Sequence, residues 1–344
     1  MTLTNFPDGL TSFGVPLIGG IGGIPLTGTW YFVDPANGSD SNEGTSPQSA
    51  FATLYMAHSM MTAGSNDVCL LIGDGSTTGT ARLSTALAQS VNSAATTGTL
   101  TWSKNACHLL GVTAPTAVAS RARIAPPSGT YTQSTFGSGN FVTVSASGCI
   151  FANFSLFNGF STGGNNQICW TDSGGRNYYT NVQFGGAGDA ASAQSTTSRS
   201  MLISGAGENL FENCTFGLDT VTRTVANSTL EFSTGTARNH FRGCVFPFQT
   251  SASTPLGITV ASAAGADRWQ LFEKCMFINN VGSGSTTMAG LSTLAASMGG
   301  QLVMKDCTLV GITEFGTDAT SRGQIYIDAG TVTAATSGIA VNPT

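Results

Sequence analysis

Three aspartates, Asp172, Asp189 and Asp219, lie in stretches that read as turns, and three histidines, His58, His108 and His240, are scattered along the chain. Paired carboxylates are the groups of glycoside hydrolysis, and they must face one another about 5–9.5 Å apart. A lyase needs a base, plus a metal ion or an Arg or Lys that neutralises a uronate. The 18 Asp and Glu residues among 344 supply no stacked pair. The three aspartates are the best carboxylates on offer, and no residue is assigned a catalytic role. His240 reads as packed or exposed. No nucleophile motif or phosphate-cradling loop occurs. CxxC and HxxxH spacings are also missing, so no metal and no other cofactor is expected.

The eight cysteines raise the question of thiol chemistry. In "NLFENCTF" (209–216) an acid, an amide and a thiol sit among aromatic residues. The stretch is one of six related segments: "IFANFSL" (150–156), "YYTNVQF" (178–184), "LFENCTF" (210–216), "HFRGCVF" (240–246), "LFEKCMF" (271–277) and "VMKDCTL" (303–309). Offsets at the fifth position are 28, 32, 30, 31 and 32 residues. Such a period marks a repeat architecture. Positions 2, 5 and 7 are apolar. They supply a ladder of Phe151, Phe154, Tyr179, Val182, Phe211, Cys214, Phe216, Phe241, Cys244, Phe246, Phe272, Cys275, Phe277 and Cys307. Cys214, Cys244, Cys275 and Cys307 thus read as reduced thiols in a buried column, since Cys is small and commonly interior.

Positions 5 and 7 share one face of a strand. Positions 2 and 5 do not, unless the chain bends between them. Position 4 holds Asn153, Asn181, Asn213, Gly243, Lys274 and Asp306. Asn, Gly and Asp tolerate left-handed backbone, and Lys274 is the exception. Position 3 faces outward, and there Glu212, Arg242, Glu273 and Lys305 alternate in sign, as in a ladder that fixes coil register. Further strands are expected at 141–147, 167–173, 200–207, 229–235, 257–266 and 323–330. A unit of three short strands cannot bury its own apolar face, but stacked units can. The fold class is all-β: a right-handed parallel β-helix of about seven coils, each of three short strands.

Residues 1–29 are apolar yet rich in Gly and Pro. They read as an extended arm that needs a partner surface, through Asn5, Phe6, Pro7, Leu10, Phe13, Val15, Leu17, Ile18, Ile21 and Ile24. Residues 30–130 read as an N-terminal cap and first coils, with a helix over 51–61 covering the open end. The architecture of 76–130 is left open. Residues 131–344 form the β-helix. The turn-rich "DPANGSDSNEGTSP" (34–47) lacks the spacing of a calcium loop.

Charged residues make up 9% of the chain and the net charge is −5, which excludes an electrostatic nucleic-acid binder. The first basic residue is Arg82, so no signal-peptide n-region is seen, and "GVPLIGGIGGIPL" (14–26) is too short and broken to span a bilayer. Neither nucleic acid nor membrane is expected as a partner.

"YFVDPANGSDSNEGTSP" followed by "FATL" resembles the opening of right-handed β-helix proteins of the pectin-lyase-like class. "LTNFPDGLTSFGVP" resembles the N-terminal arm of a group of tailed-phage virion proteins, and with the closing "TSGIAVNPT" (336–344) the resemblance covers nearly the whole chain. It implies a capsid-associated head decoration protein, made in the host bacterial cytoplasm and placed on the capsid surface. It also implies the major capsid protein as partner and a homotrimer as the assembly. Two other readings compete. One is a tailspike or receptor-binding module with polysaccharide-binding or depolymerase activity. The other is a carbohydrate-binding module using Trp30, Trp102, Trp170 and Trp269 where they face outward.

Overall fold

The motif's apolar columns are buried by stacking one copy on the next. The structure is a computed structural model. It describes residues 11–12, 15–16, 27–73, 100–124, 140–158, 168–187, 195–205, 207–281, 285–317 and 325–328. All strand pairs but one are parallel. Trp30–Val33, Val68–Ile72, His108–Val112, Ile150–Asn158, Tyr178–Ala187, Leu210–Glu212, Asn239–Arg242, Trp269–Glu273, Gln301–Lys305 and Ile325–Asp328 stack in one row. The second halves of Ile150–Asn158 and Tyr178–Ala187 bend into another row with Thr215–Phe216, Val245–Phe248, Met276–Asn279 and Thr308–Val310. A separate eight-stranded sheet runs from Leu100–Trp102 to Ile312–Gly316. Three strands per coil are therefore present. Eight strands in one sheet depart slightly from the seven coils expected, and at about 4.8 Å per step they span roughly 34 Å.

The bend is made by left-handed backbone at the fourth motif position in all six copies. There φ is 59° at Asn153, 49° at Asn181, 51° at Asn213, 62° at Gly243, 53° at Lys274 and 52° at Asp306. Lys274 adopts it against its preference, which costs on the order of 1–2 kcal/mol. The bend turns positions 2, 5 and 7 inward. Tyr179, Phe211, Phe241 and Phe272 then stack coil on coil, with ring centroids 4.6 Å apart at each step. Phe184, Phe216, Phe246 and Phe277 form a second stack at 4.5–5.0 Å. Phe151, Phe154, Val182, Cys214, Cys244 and Cys275 are buried beside them, whereas Cys307, near the far end of the stack, is only partly buried.

A second polar column closes the turn just before each motif. Asn177 Oδ1 accepts from Cys149 N at 2.9 Å, Asn209 Oδ1 from Asn177 N at 2.9 Å, and Asn239 Oδ1 from Asn209 N at 3.2 Å. Gln270 continues the column, its Oε1 accepting from Asn239 Nδ2 at 2.8 Å. The three asparagines satisfy backbone donors that the turns would otherwise leave buried and unpaired.

The helix is Leu54–Met60, started by Thr53, whose hydroxyl accepts from Met56 N. Its Leu54 and Ala57 join the core, and it packs against Trp30–Val33 and Val68–Ile72, the first strands of the stack. Asp40 holds the preceding loop to the helix start, accepting from Ala52 N, Thr53 N and Thr53 Oγ1. Within the N-terminal stretch, Thr11–Ser12 pairs antiparallel with Val15–Pro16. Asn5, Phe6, Pro7, Leu10, Phe13, Leu17, Ile18, Ile21 and Ile24 lie outside the described residues, as do 76–99 and the closing 336–344.

The outer face of the first row changes character along the stack. Phe32, Leu70, Leu110 and Ala152 share one column in its early coils, where Leu70, Leu110 and Ala152 are covered and form a second buried apolar cluster with Val68 and Ile150. After Thr180 the same column carries Glu212, Arg242, Glu273 and Lys305.

Candidate functional site

The side chains able to do chemistry are positioned by the turns between rows, and those turns place them apart. Asp172 ends its strand with no exposure. Its carboxylate accepts from Tyr179 Oη at 2.6 Å, Asn177 Nδ2 at 3.1 Å, Gly174 N at 3.0 Å and Gly175 N at 3.1 Å. Burial raises its pKa above the ordinary carboxylate value, and these donors only partly oppose the rise. It is an internal fastener of the turn, out of reach of any substrate. Asp189 lies outside the described residues.

Asp219 is exposed and lines a cleft of 340 Å³ with Arg123, Gln183, Leu156, Leu218 and Pro247. Gln183 is fixed there, its Oε1 accepting from Ala119 N at 2.6 Å and from Ser155 Oγ at 3.1 Å. Asp219 is the only carboxylate among the described residues of this cleft. A glycosidase needs two.

The histidines serve three different places. His58 packs against Trp102 with ring centroids 4.8 Å apart and the rings tilted by 49°, and its Nε2 accepts from Ser103 N. Burial and nearby Lys104 push it down to about 4. His108 Nδ1 accepts from Ile150 N at 3.0 Å, and burial pushes it down to about 4 as well. His240 lies on the outer face with Nε2 3.3 Å from Glu273 Oε2.

Two charged columns cross the surface. In the first, Arg242 pairs with Glu212, and Lys305 Nζ lies 2.7 Å from Glu273 Oε1. The second stands at the turn before the motif. Glu208 bridges Arg176 and Arg238 at 2.7 Å each. Asn239 pairs with Gln270, so Trp269 takes the place after Arg238, and the residue is 42% exposed. Beside the column runs a shallow groove of 220 Å³ with Gly174, Gly175, Gly205, Gly207 and Gly235 in its floor. At Gly207 a Cβ would meet Ala237 O at 2.4 Å, so the close approach of successive turns requires glycine there. Of the four tryptophans, Trp30 and Trp269 face outward, and Trp102 and Trp170 are core residues.

All eight cysteines are free. The Cys244, Cys275 and Cys307 thiols donate to Phe211 O, Phe241 O and Phe272 O of the preceding coil. Burial pushes Cys149 up to about 12 and Cys107 up to about 11. Such thiols are poor nucleophiles. Among the described residues no group of three or more His, Cys, Asp or Glu could hold a metal ion, and no helix is long and apolar enough to cross a membrane.

No family model matches the chain, and no curated protein matches it. Solved structures do. A pectate lyase superposes with a TM-score of 0.52 at 13% identity over 81% of this chain, which spans 62% of that enzyme's length. A pectin methylesterase from Erwinia chrysanthemi gives 0.51 at 14% identity, over 88% of this chain and 90% of its own. A pectin methylesterase in complex with a hexasaccharide gives 0.51 at 15%, over 88% and 90%. At such identities the likeness establishes the fold, a pectin-lyase-like right-handed parallel β-helix, and leaves activity to the site.

Proposed function

We propose that this chain is a polysaccharide-binding β-helix module that holds its glycan without cleaving it, as a receptor-binding part of a virion would. The observation that carries this reading is the ion-paired column Arg176, Glu208 and Arg238 lining the glycine-rich groove, with exposed Trp269 next after Arg238 along the stack. Guanidinium and carboxylate groups hydrogen-bond sugar hydroxyls, and an exposed indole offers an apolar face to a sugar ring. The distant fold likeness to polysaccharide-acting enzymes supports the same ligand class. The lone carboxylate of the neighbouring cleft supports binding over hydrolysis. The test is titration calorimetry of the full chain against neutral and uronate-containing oligosaccharides, with product analysis by chromatography. Binding weakened at least about tenfold by Trp269→Ala, with no product formed, is expected. Cleavage abolished by Asp219→Asn would sink the non-enzymatic reading.

A second reading is capsid decoration, with the major capsid protein as partner, residues 1–29 as the attachment arm and a homotrimer as the assembly. The exposed apolar side chains Trp30, Tyr55 and Met60, on the first strand and the helix packed against it, favour it. Sedimentation with capsids stripped of accessory proteins tests it. Attachment by the full chain and none by a chain lacking 1–29 is the expected result, and no attachment by either removes the reading.

A further inference from the structure

Arg199, Ser200, Arg223 and Ser228, with Gly217 and Leu218, line a narrow, partly open pocket of 30 Å³. The charges around it do not balance. Arg199 Nε sits 2.5 Å from Glu231 Oε2, so that pair is neutral. Arg223 has no carboxylate partner among the described residues. Its Nε donates to Asn227 Oδ1 at 2.7 Å, Nη1 to Thr229 Oγ1 at 3.0 Å, and Nη2 to Asn227 O at 2.6 Å and Leu256 O at 2.9 Å. The Phe248 ring lies 5.9 Å from the guanidinium carbon. All these partners are uncharged. A guanidinium has five N–H groups, and these bonds use four. Burial and the like charge of Arg199 hold Arg223 down at about 9. Ser228 is 3% exposed, and its buried Oγ has no hydrogen-bond partner.

We propose that the pocket is a binding site for a small monovalent inorganic anion of chloride size, held between Arg223, Arg199 and the Ser228 hydroxyl. A water molecule would satisfy Ser228 and leave the excess positive charge uncompensated. One unpaired guanidinium calls for one negative charge, and the narrow pocket favours a compact ion over a multiatomic one. The anion restores neutrality where a lone buried charge is costly. It also ties consecutive coils together, because Arg223 already reaches from Asn227 to Leu256 of the next coil.

The experiment is thermal melting of the full chain in sodium chloride and in sodium gluconate at matched ionic strength, with crystals grown in bromide. The melting temperature is expected to rise saturably with chloride and not with gluconate. Bromide should give an anomalous peak within hydrogen-bond distance of Ser228 Oγ and Arg223. Ser228→Ala should keep the fold and raise the half-saturating chloride concentration by roughly ten- to a hundredfold, the loss of one hydrogen bond to a charged group. Identical melting in the two salts overturns the proposal. So does a chloride effect that Ser228→Ala leaves unchanged, because the ion then sits elsewhere.

Discussion

Asn209 Oδ1 accepts the backbone N–H of Asn177 at 2.9 Å, so a side chain of one coil closes the turn of the coil before it. Both residues are buried. Asn209→Ala leaves the Asn177 N–H without an acceptor and without water. The expected loss is about 1–3 kcal/mol in chemical denaturation. A loss below about 0.5 kcal/mol would mean that the column is ornamental.

Lys274 is the one long side chain at the left-handed corner, with φ of 53°. It is exposed, and its backbone N–H donates to Lys305 O whatever the side chain. Lys274→Asn should therefore stabilise the fold by about 1 kcal/mol. A lowered denaturation midpoint would show that the lysine side chain contributes something the corner hides.

His58 and His108 are held near about 4 by burial, well below the ordinary value of 6.5. Both stay neutral in the fold while the unfolded chain takes up protons. Their contribution is complete above pH 6.5 and is lost as pH falls toward 4. Urea titrations at pH 7 and pH 4.5 should show a loss of a few kcal/mol, roughly, and His108→Gln should make it smaller. An unchanged loss in that variant would place the acid sensitivity elsewhere.

The thiols should differ in reactivity along the rod. Cys214, Cys244 and Cys275 are buried and Cys307 is partly exposed. Under native conditions a maleimide should label Cys307 first, and slowly, since hydrogen bonding to Cys275 and burial raise its pKa. Mass spectrometry of digested protein reads the order. Early labelling of Cys244 would argue that the stack opens between coils.

The stack and its corners were legible because they repeat. Six copies of one motif expose the inward positions and the bend, and even Lys274 takes the backbone that its neighbours in the column dictate. The amide column of Asn177, Asn209 and Asn239 was equally periodic, but it sits one residue before the motif and is masked by Cys149 and Gln270 at its ends. Asp172 read as a turn carboxylate. Its burial depends on Tyr179 and Asn177, which the next turn brings over it. Trp170 sits in a strand buried throughout, so no alternation marked it as interior, and Trp102 lies in a strand of only three residues, too short for its alternation to stand out. The cleft left no trace in sequence, because Arg123, Gln183 and Asp219 come from three different coils. The last strand, Ile325–Asp328, joins the motif row, pairing Leu302 with Ile325.

Successive copies of the motif are separated by 28 to 32 residues, yet the seven residues that bend and stack never change length. All the variation falls in the turns. A residue gained or lost there moves no inward side chain, whereas one gained inside the motif would rotate a whole strand out of the core. The rod can therefore exchange its decorated turns piece by piece and lengthen or shorten only by whole coils. For a protein that meets a changing surface, this separates what must be inherited intact from what is free to drift.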